Sequence, residues 1–320
     1  MAWVIGIDEA GYGPNLGPLV MTAVACRVPD RAAGADLWQL LGSAVRSGRE
    51  QDDGRLLVDD SKVVYSTARG LLGLERGVLA TLWRGNGTAA ALRQLIDWAC
   101  PDDRADLEGE RWYRGTNPVP VHVEAADVAA HRERFEGACA GADVGRWLVR
   151  SVVVCTPRFN SVLDANGSKG AVLARALTTL LRGLYEGIPG GEGLYHFVDK
   201  HGGRNAYAAM IQHALPGGMV VARQEGMACS AYRVHGLGRE VRLTFQPRAD
   251  TEHFCAALAS MASKYLRELL MLEFNRFWQE QVPGLKPTAG YPGDAARFLE
   301  AIRPAAERLG IAEAALWRRK

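Results

Sequence analysis

The chain has 320 residues, 48% of them hydrophobic and 23% charged, with a formal net charge of +2. That length can bury a substantial core as one large domain or two, and the composition is ordinary for a soluble globular enzyme. A charge so near neutral excludes any argument for nucleic-acid binding from bulk basicity, so a basic surface would have to be local.

The opening Met-Ala-Trp-Val-Ile-Gly-Ile-Asp has no basic leader. No later apolar stretch approaches the ~18 uncharged residues of a membrane span, so a cytoplasmic protein is expected. Residues 3–7 read as a short buried strand, and two carboxylates, Asp8 and Glu9, stand where it runs out. Burying an ionised acid is unfavourable without a cation, a donor network or water. Gly11, Gly13, Pro14, Gly17 and Pro18 then force a tight backbone before a second apolar strand over 19–28, which predicts a hairpin with acids at its turn. Three readings fit these residues. One is a solvated turn. Another is a dinucleotide loop, a weak match because the acids repel a pyrophosphate and Pro14 removes an amide. The third is a metal site with backbone amides facing a nucleic-acid strand.

Residues 35–45 have helical spacing, and Asp59-Asp60-Ser61-Lys62 makes a polar turn able to cap a helix over 67–82. From about 84 to 146, Gly, Pro and charged residues interrupt short apolar runs. This reads as an insertion with a strand at 119–123 and a helix at 129–139. A strand over 147–154, a break at Thr156-Pro157-Arg158-Phe159-Asn160, a helix over 171–185 and a strand over 194–198 follow, the last ending in Asp199. Strand, helix, strand with an acid at the tip gathers side chains on one edge of an α/β sheet. A helix over 204–215, a strand over 219–223 and a hairpin from 230–235 and 240–245 lead to Asp250, which alone reads as a helix cap. The next pattern, 253–280, is a long helix with Phe254, Ala257, Leu258, Met261 and Tyr265 on one buried face. Gly290-Tyr291-Pro292-Gly293-Asp294, helices over 295–309 and 312–316, and a solvated basic tail, Arg318-Arg319-Lys320, complete the chain. Cys26, Cys100, Cys139, Cys155, Cys229 and Cys255 form no C-x-x-C pair, so reduced, mostly buried thiols are expected.

Asp8-Glu9-Ala10-Gly11-x-Gly13-Pro14-x-x-Gly17-Pro18 resembles the opening motif of the type 2 ribonucleases H, the RNase HII and HIII family. Asp60-Ser61-Lys62, Val198-Asp199, Arg248-Ala249-Asp250 with the following Ala259-Ser260 to Arg267-Glu268 pattern, and Gly290-Tyr291-Pro292 resemble its later motifs, in family order. The resemblance implies an α/β, RNase H-like fold with a mixed central sheet flanked by helices. It implies a single catalytic domain over 1–320, with the insertion at about 84–146 and a C-terminal helical part at about 281–320. The implied activity is a metal-dependent endoribonuclease, hydrolysing the RNA strand of RNA–DNA hybrids or ribonucleotides embedded in duplex DNA and leaving 5′-phosphate and 3′-hydroxyl ends. Asp8, Glu9, Asp199 and Asp250 would be its catalytic, metal-binding acids, and oxygen-only ligands favour Mg²⁺ or Mn²⁺, two ions in the working complex. Asp8 would bridge both ions and Asp199 share its load, while Glu9 and Asp250 hold one ion each or orient the water. Gly11, Tyr12, Gly13, Ser61, Lys62 and Tyr291 would contact substrate.

This chain departs from the family pattern in several places. Tyr12 stands where RNase HII has Arg, which weakens phosphate grip and shifts preference toward longer hybrids. Lys200 follows Asp199 where Gly is usual, and Glu268 replaces Asp, with Arg267 or Lys264 as its expected partner. These departures keep open an alternative, a catalytically weak or inactive RNase H-like nucleic-acid-binding protein. A nuclease of this fold acting on another structure, such as a DNA junction, is a third possibility.

Overall fold

The computed structural model describes residues 1–65, 70–83 and 91–319. Among the described residues there are nine strands: β1 (Ala2–Ala10), β2 (Leu19–Val28), β3 (Val45–Arg46), β4 (Leu56–Leu57), β5 (Gly145–Val154), β6 (Gly193–Asp199), β7 (Met219–Glu225), β8 (Ser230–His235) and β9 (Val241–Gln246). Seven of them form one mixed sheet in the order β5-β2-β1-β6-β9-β8-β7, while β3 and β4 pair separately. β2 is antiparallel to β1 and β5, β6 is parallel to β1 and β9, and β8 is antiparallel to β9 and β7. Helices cover both faces, so the fold is the mixed α/β architecture expected. β1, an interior strand between β2 and β6, is buried on both faces, as its apolar run requires.

One face packs on the long helix Phe254–Gln281, the other on helices Thr156–Asn166 and Lys169–Gly187. Gly6 permits the tightest contact with the long helix. A Cβ there would lie 2.0 Å from the Ala256 backbone nitrogen, so no other residue lets strand and helix meet this closely. All six cysteines are free, and five are buried. Among the described residues no helix is long and apolar enough to cross a membrane.

Several local expectations are corrected. β1 runs on to Ala10, paired with Val20, so Asp8 and Glu9 lie within the strand and not at a turn. Residues 35–45 hold one helical turn, Leu37–Leu40, before β3. The expected break at 156–160 is the start of helix Thr156–Asn166, because a proline in the first turn loses no intrahelical hydrogen bond. Residues 204–215 are helical only over Ala208–Ala214. The helix expected over 67–82 is Leu72–Thr81, with 66–69 outside the described residues. Residues 84–90 of the expected insertion also lie outside them.

Residues 119–123 do not form a strand. The amides of Val121, His122 and Val123 donate instead to the buried Glu75 carboxylate at 2.7, 2.6 and 2.9 Å, and Tyr265 Oη donates to it at 2.6 Å. Glu273 of the long helix likewise accepts from the amides of Gly115, Thr116 and Asn117 at 2.8, 2.7 and 3.1 Å. Two buried carboxylates thus satisfy loop amides that a strand partner would otherwise have to meet.

Candidate active site

The site lies where the parallel strands β1 and β6 end. Their last paired residues are Ile7 and Val198, so Asp8 and Asp199 come next, side by side. Side chains alternate along a strand, and Gly6 faces the long helix while Ile5 and Ile7 join the opposite core. Asp8 therefore faces the long helix and Glu9 the other side, and the acidic group straddles the sheet edge. Asp250 comes to it on the one-turn helix Ala249–Glu252 that follows β9, and Asp199 Oδ1 accepts from the Ala249 amide at 3.1 Å. The long helix supplies hydroxyls. Ser263 Oγ donates to the Asp8 carbonyl at 2.9 Å, and Ser260 Oγ stands 3.1 Å from Ser61 Oγ and 3.4 Å from Asp250 Oδ2.

These acids feel one another. Burial, and then the charges of Glu9, Asp250 and Asp199, hold the Asp8 carboxyl well above the usual carboxylate range. Burial followed by Asp199 pushes Glu9 up to about 7, with Lys62 opposing. Burial followed by Asp60 and Asp199 pushes Asp250 to about 7, again against Lys62. Asp199 is raised as well, chiefly by burial. By local rules Asp60 is a helix cap. It does cap, accepting from the Lys62 amide at 2.9 Å, but it also lies within hydrogen-bonding reach of Asp250. Its place in Asp60-Ser61-Lys62 was the available signal.

Among the described residues no three His, Cys, Asp or Glu side chains are placed so as to hold a metal ion as they stand. The chemistry of the set nonetheless fits a hard divalent cation. The donors are carboxylate oxygens only, and beyond burial the charges of Glu9, Asp199 and Asp250 raise the pKa of neighbouring acids, a crowding of negative charge that Lys62 only partly opposes.

Of the expected substrate contacts, Lys62 feels the charges of Asp250 and Asp8, and Tyr12 that of Glu9. Lys62 holds its ammonium 85% exposed, 3.6 Å from Asp60, while Ser61 is buried against Ser260. Gly11 takes φ +88°, and a Cβ there would sit 2.5 Å from Arg267 Nε, so the turn needs glycine. Tyr12 is half-buried, with Lys169 Nζ 5.9 Å over its ring and the charge of Arg204 acting on it. Neither cation was foreseen, because neither lies in a motif. Gly13 is exposed, and Tyr291, 48% exposed, is the nearest side chain to it.

Two departures from the family pattern have structural explanations. Lys200 is buried and donates to Asn205 Oδ1 at 2.8 Å and to the Gly226 carbonyl, tying the residues after Asp199 to the β7–β8 turn. Glu268 pairs with Lys264 at 2.6 Å and Arg267 at 3.2 Å, the partners expected. The basic tail is not solvated as a whole, for Arg318 is fully buried; Lys320 is outside the described residues.

No family model matches the sequence, and no curated protein matches it. Among solved structures, the chain is similar to that of the PCNA:RNase HII complex from Archaeoglobus fulgidus, at 15% identity over 99% of this chain and 94% of that one, TM-score 0.45. It is similar to ribonuclease H2 from Pyrococcus horikoshii OT3, at 14% identity over 98% and 92% of the two chains, TM-score 0.44. A third is Bst-RNase HIII in complex with Mn²⁺, at 14% identity over 99% of this chain and 66% of that one, TM-score 0.45. At these identities and TM-scores, what the chain does has to be read from its own residues and geometry.

Proposed function

We propose that the chain is a metal-dependent endoribonuclease that hydrolyses RNA paired with DNA, either the RNA strand of a hybrid or ribonucleotides embedded in duplex DNA. One observation carries the reading. Asp8, Glu9, Asp199 and Asp250, from three separate elements, lie close enough at one sheet edge that the charges of Glu9, Asp199 and Asp250 all raise the Asp8 pKa, beside a glycine turn and an exposed tyrosine. In this reading residues 1–320 act as one domain, with 84–146 as an insertion and 281–320 as a helical extension.

Asp8, Asp199 and Asp250 would hold Mg²⁺ or Mn²⁺ on the long-helix side, with Glu9 reaching round the edge. Bound there, such ions supply Lewis acidity and a water of lowered pKa, for hydrolysis to a 5′-phosphate and a 3′-hydroxyl. The protein's own groups do the rest. Lys62 offers a mobile point charge to a phosphate. The 2′-hydroxyl distinguishes the substrate sugar, and the amides of Gly11–Gly13 with Tyr291 are suited to read it. Ser260 and Ser263 fix the acids and the strand that carries them.

The second reading, an RNase H-like nucleic-acid-binding protein with weak or no turnover, is favoured by one observation. Among the described residues no three acids are set to hold an ion as they stand. Three labelled duplexes carrying one ribonucleotide, four, or a full RNA strand, incubated with Mn²⁺ or Mg²⁺, separate the two. Metal-dependent cutting that Asp8→Asn abolishes is the expected result; tight binding without cutting supports the second reading. Cleavage of an all-DNA junction would redirect the assignment to another nuclease.

A further inference from the structure

We propose that Arg318 is a positioning residue for substrate binding, locking the turn at Pro14–Leu16, and through it Gly290 and Tyr291, in the arrangement that reads the substrate sugar. The substrate half of this inference rests on the function proposed above.

The lock is a chain of short contacts. Arg318 Nη2 donates to the Pro14 carbonyl, the Arg318 amide to the Asn15 carbonyl at 2.8 Å, and Asn15 Nδ2 back to the Arg318 carbonyl at 3.0 Å. Helix Thr156–Asn166 braces the segment from behind. Asn160 Nδ2 donates to the Ala314 and Trp317 carbonyls at 3.0 and 2.9 Å, and its Oδ1 accepts from the Arg319 amide at 3.0 Å. The Arg318 guanidinium lies 4.8 Å over the Phe159 ring. On its other side the same turn grips the tyrosine loop, the amides of Asn15 and Leu16 donating to the Gly290 carbonyl at 2.8 and 3.2 Å. Gly290 has φ +82°, and a Cβ there would meet the Leu16 carbonyl at 2.3 Å, so the two backbones are in direct contact one residue before Tyr291. Arg267 donates to the neighbouring Ala289 carbonyl at 2.9 Å, with its guanidinium 6.0 Å over the Tyr291 ring.

This junction is poorly built if stability were its purpose. Arg318 Nε and Nη1, Asn15 Oδ1 and Arg267 Nε are all buried with no hydrogen-bond partner. Burying the guanidinium is unfavourable in itself: desolvation, and then the charge of Arg267, pushes the Arg318 pKa down to about 9. An apolar side chain of similar length would fill the space without that penalty. The guanidinium's distinctive contribution is its grip on the turn.

Arg318→Met separates grip from stability, and Arg318→Lys restores one donor. Urea unfolding, amide hydrogen exchange and steady-state cleavage of a hybrid with Mn²⁺ are measured on the full chain. Arg318→Met unpairs the Pro14 carbonyl but removes a buried charge, so it is expected to keep a urea midpoint close to the parent's, yet to exchange faster at residues 11–17 and 288–291 and not in β1. KM should rise about tenfold, the worth of one hydrogen bond, with kcat within about twofold, and Arg318→Lys should recover part of it. Unchanged exchange and KM in Arg318→Met overturn the inference. So does a parallel fall of stability and activity in both variants, which marks a structural role only. A parent protein that neither binds nor cuts the duplex refutes the functional reading and with it the substrate half, while the exchange data still decide whether Arg318 controls the turn.

Discussion

Replacing Glu75 by Gln tests how the segment around 115–123 is held against the core. The change is isosteric, so it opens no cavity and its effect is electrostatic. Glu75 Oε1 accepts from the Val121 amide and Tyr265 Oη, and Oε2 from the amides of His122 and Val123. An amide NH₂ in place of either oxygen turns two acceptances into donor–donor clashes and leaves two buried donors unpaired. The other two bonds lose their charge assistance. With hydrogen bonds to charged groups contributing about 1.5–3 kcal/mol each, the loss should be about 3–5 kcal/mol. Urea unfolding at neutral pH reads this as a lower midpoint at unchanged m-value. Hydrogen exchange should quicken first at residues 121–123. A loss under about 1 kcal/mol would refute the assignment of Glu75 as the anchor of this segment.

The remaining predictions concern the core and its protonation. Burial, then the charge of Asp106, pushes Glu110 up to about 7, so the folded state holds a proton that the unfolded chain releases near 4.5. That contribution is fully present below about pH 4.5 and is lost as pH rises through about 7. Glu110→Gln should therefore gain up to about 3 kcal/mol at pH 8 and almost nothing at pH 4.5, and equal gains at both would contradict the burial argument. Gly6→Ala drives a methyl into the Ala256 backbone and should cost about 3 kcal/mol or more, read by thermal unfolding; a near-neutral variant would show that strand and helix can part freely.

Patterns carried by neighbours along the chain were the legible ones. The apolar runs of β1 and β2, the strand-end acid Asp199, the β8–β9 hairpin and the one-sided stripe of the long helix each announce themselves within a few residues. The packing periodicity that marks them is the force that makes them fold. Asp8 and Glu9 stand out because acids are costly beside a buried strand, although the strand runs one residue past Glu9. What stayed hidden depends on distant partners. A run such as Val119–Val123 has strand-like residues, but Glu75 takes its amides. Arg318 looks like a solvated tail until Pro14 and Asn15 come within reach. Asp60 is a sound cap by local rules, and its contact with Asp250 appears only when the distant segment folds back onto it. Lys169 and Arg204 flank Tyr12 through folding alone.

In the proposed function Asp8, Asp199 and Asp250, with Glu9 at the edge, would form one divalent-cation site. Titration with Mn²⁺ alone, followed by calorimetry or by loss of the free-ion electron paramagnetic resonance signal, tests it without any substrate. Saturable binding to the parent chain is expected, which Asp8→Asn and Asp250→Asn each weaken severely, and which Asp127→Asn, at a carboxylate paired with Arg76 at 2.7 Å, leaves intact. No binding, or binding indifferent to Asp8 and Asp250, contradicts it.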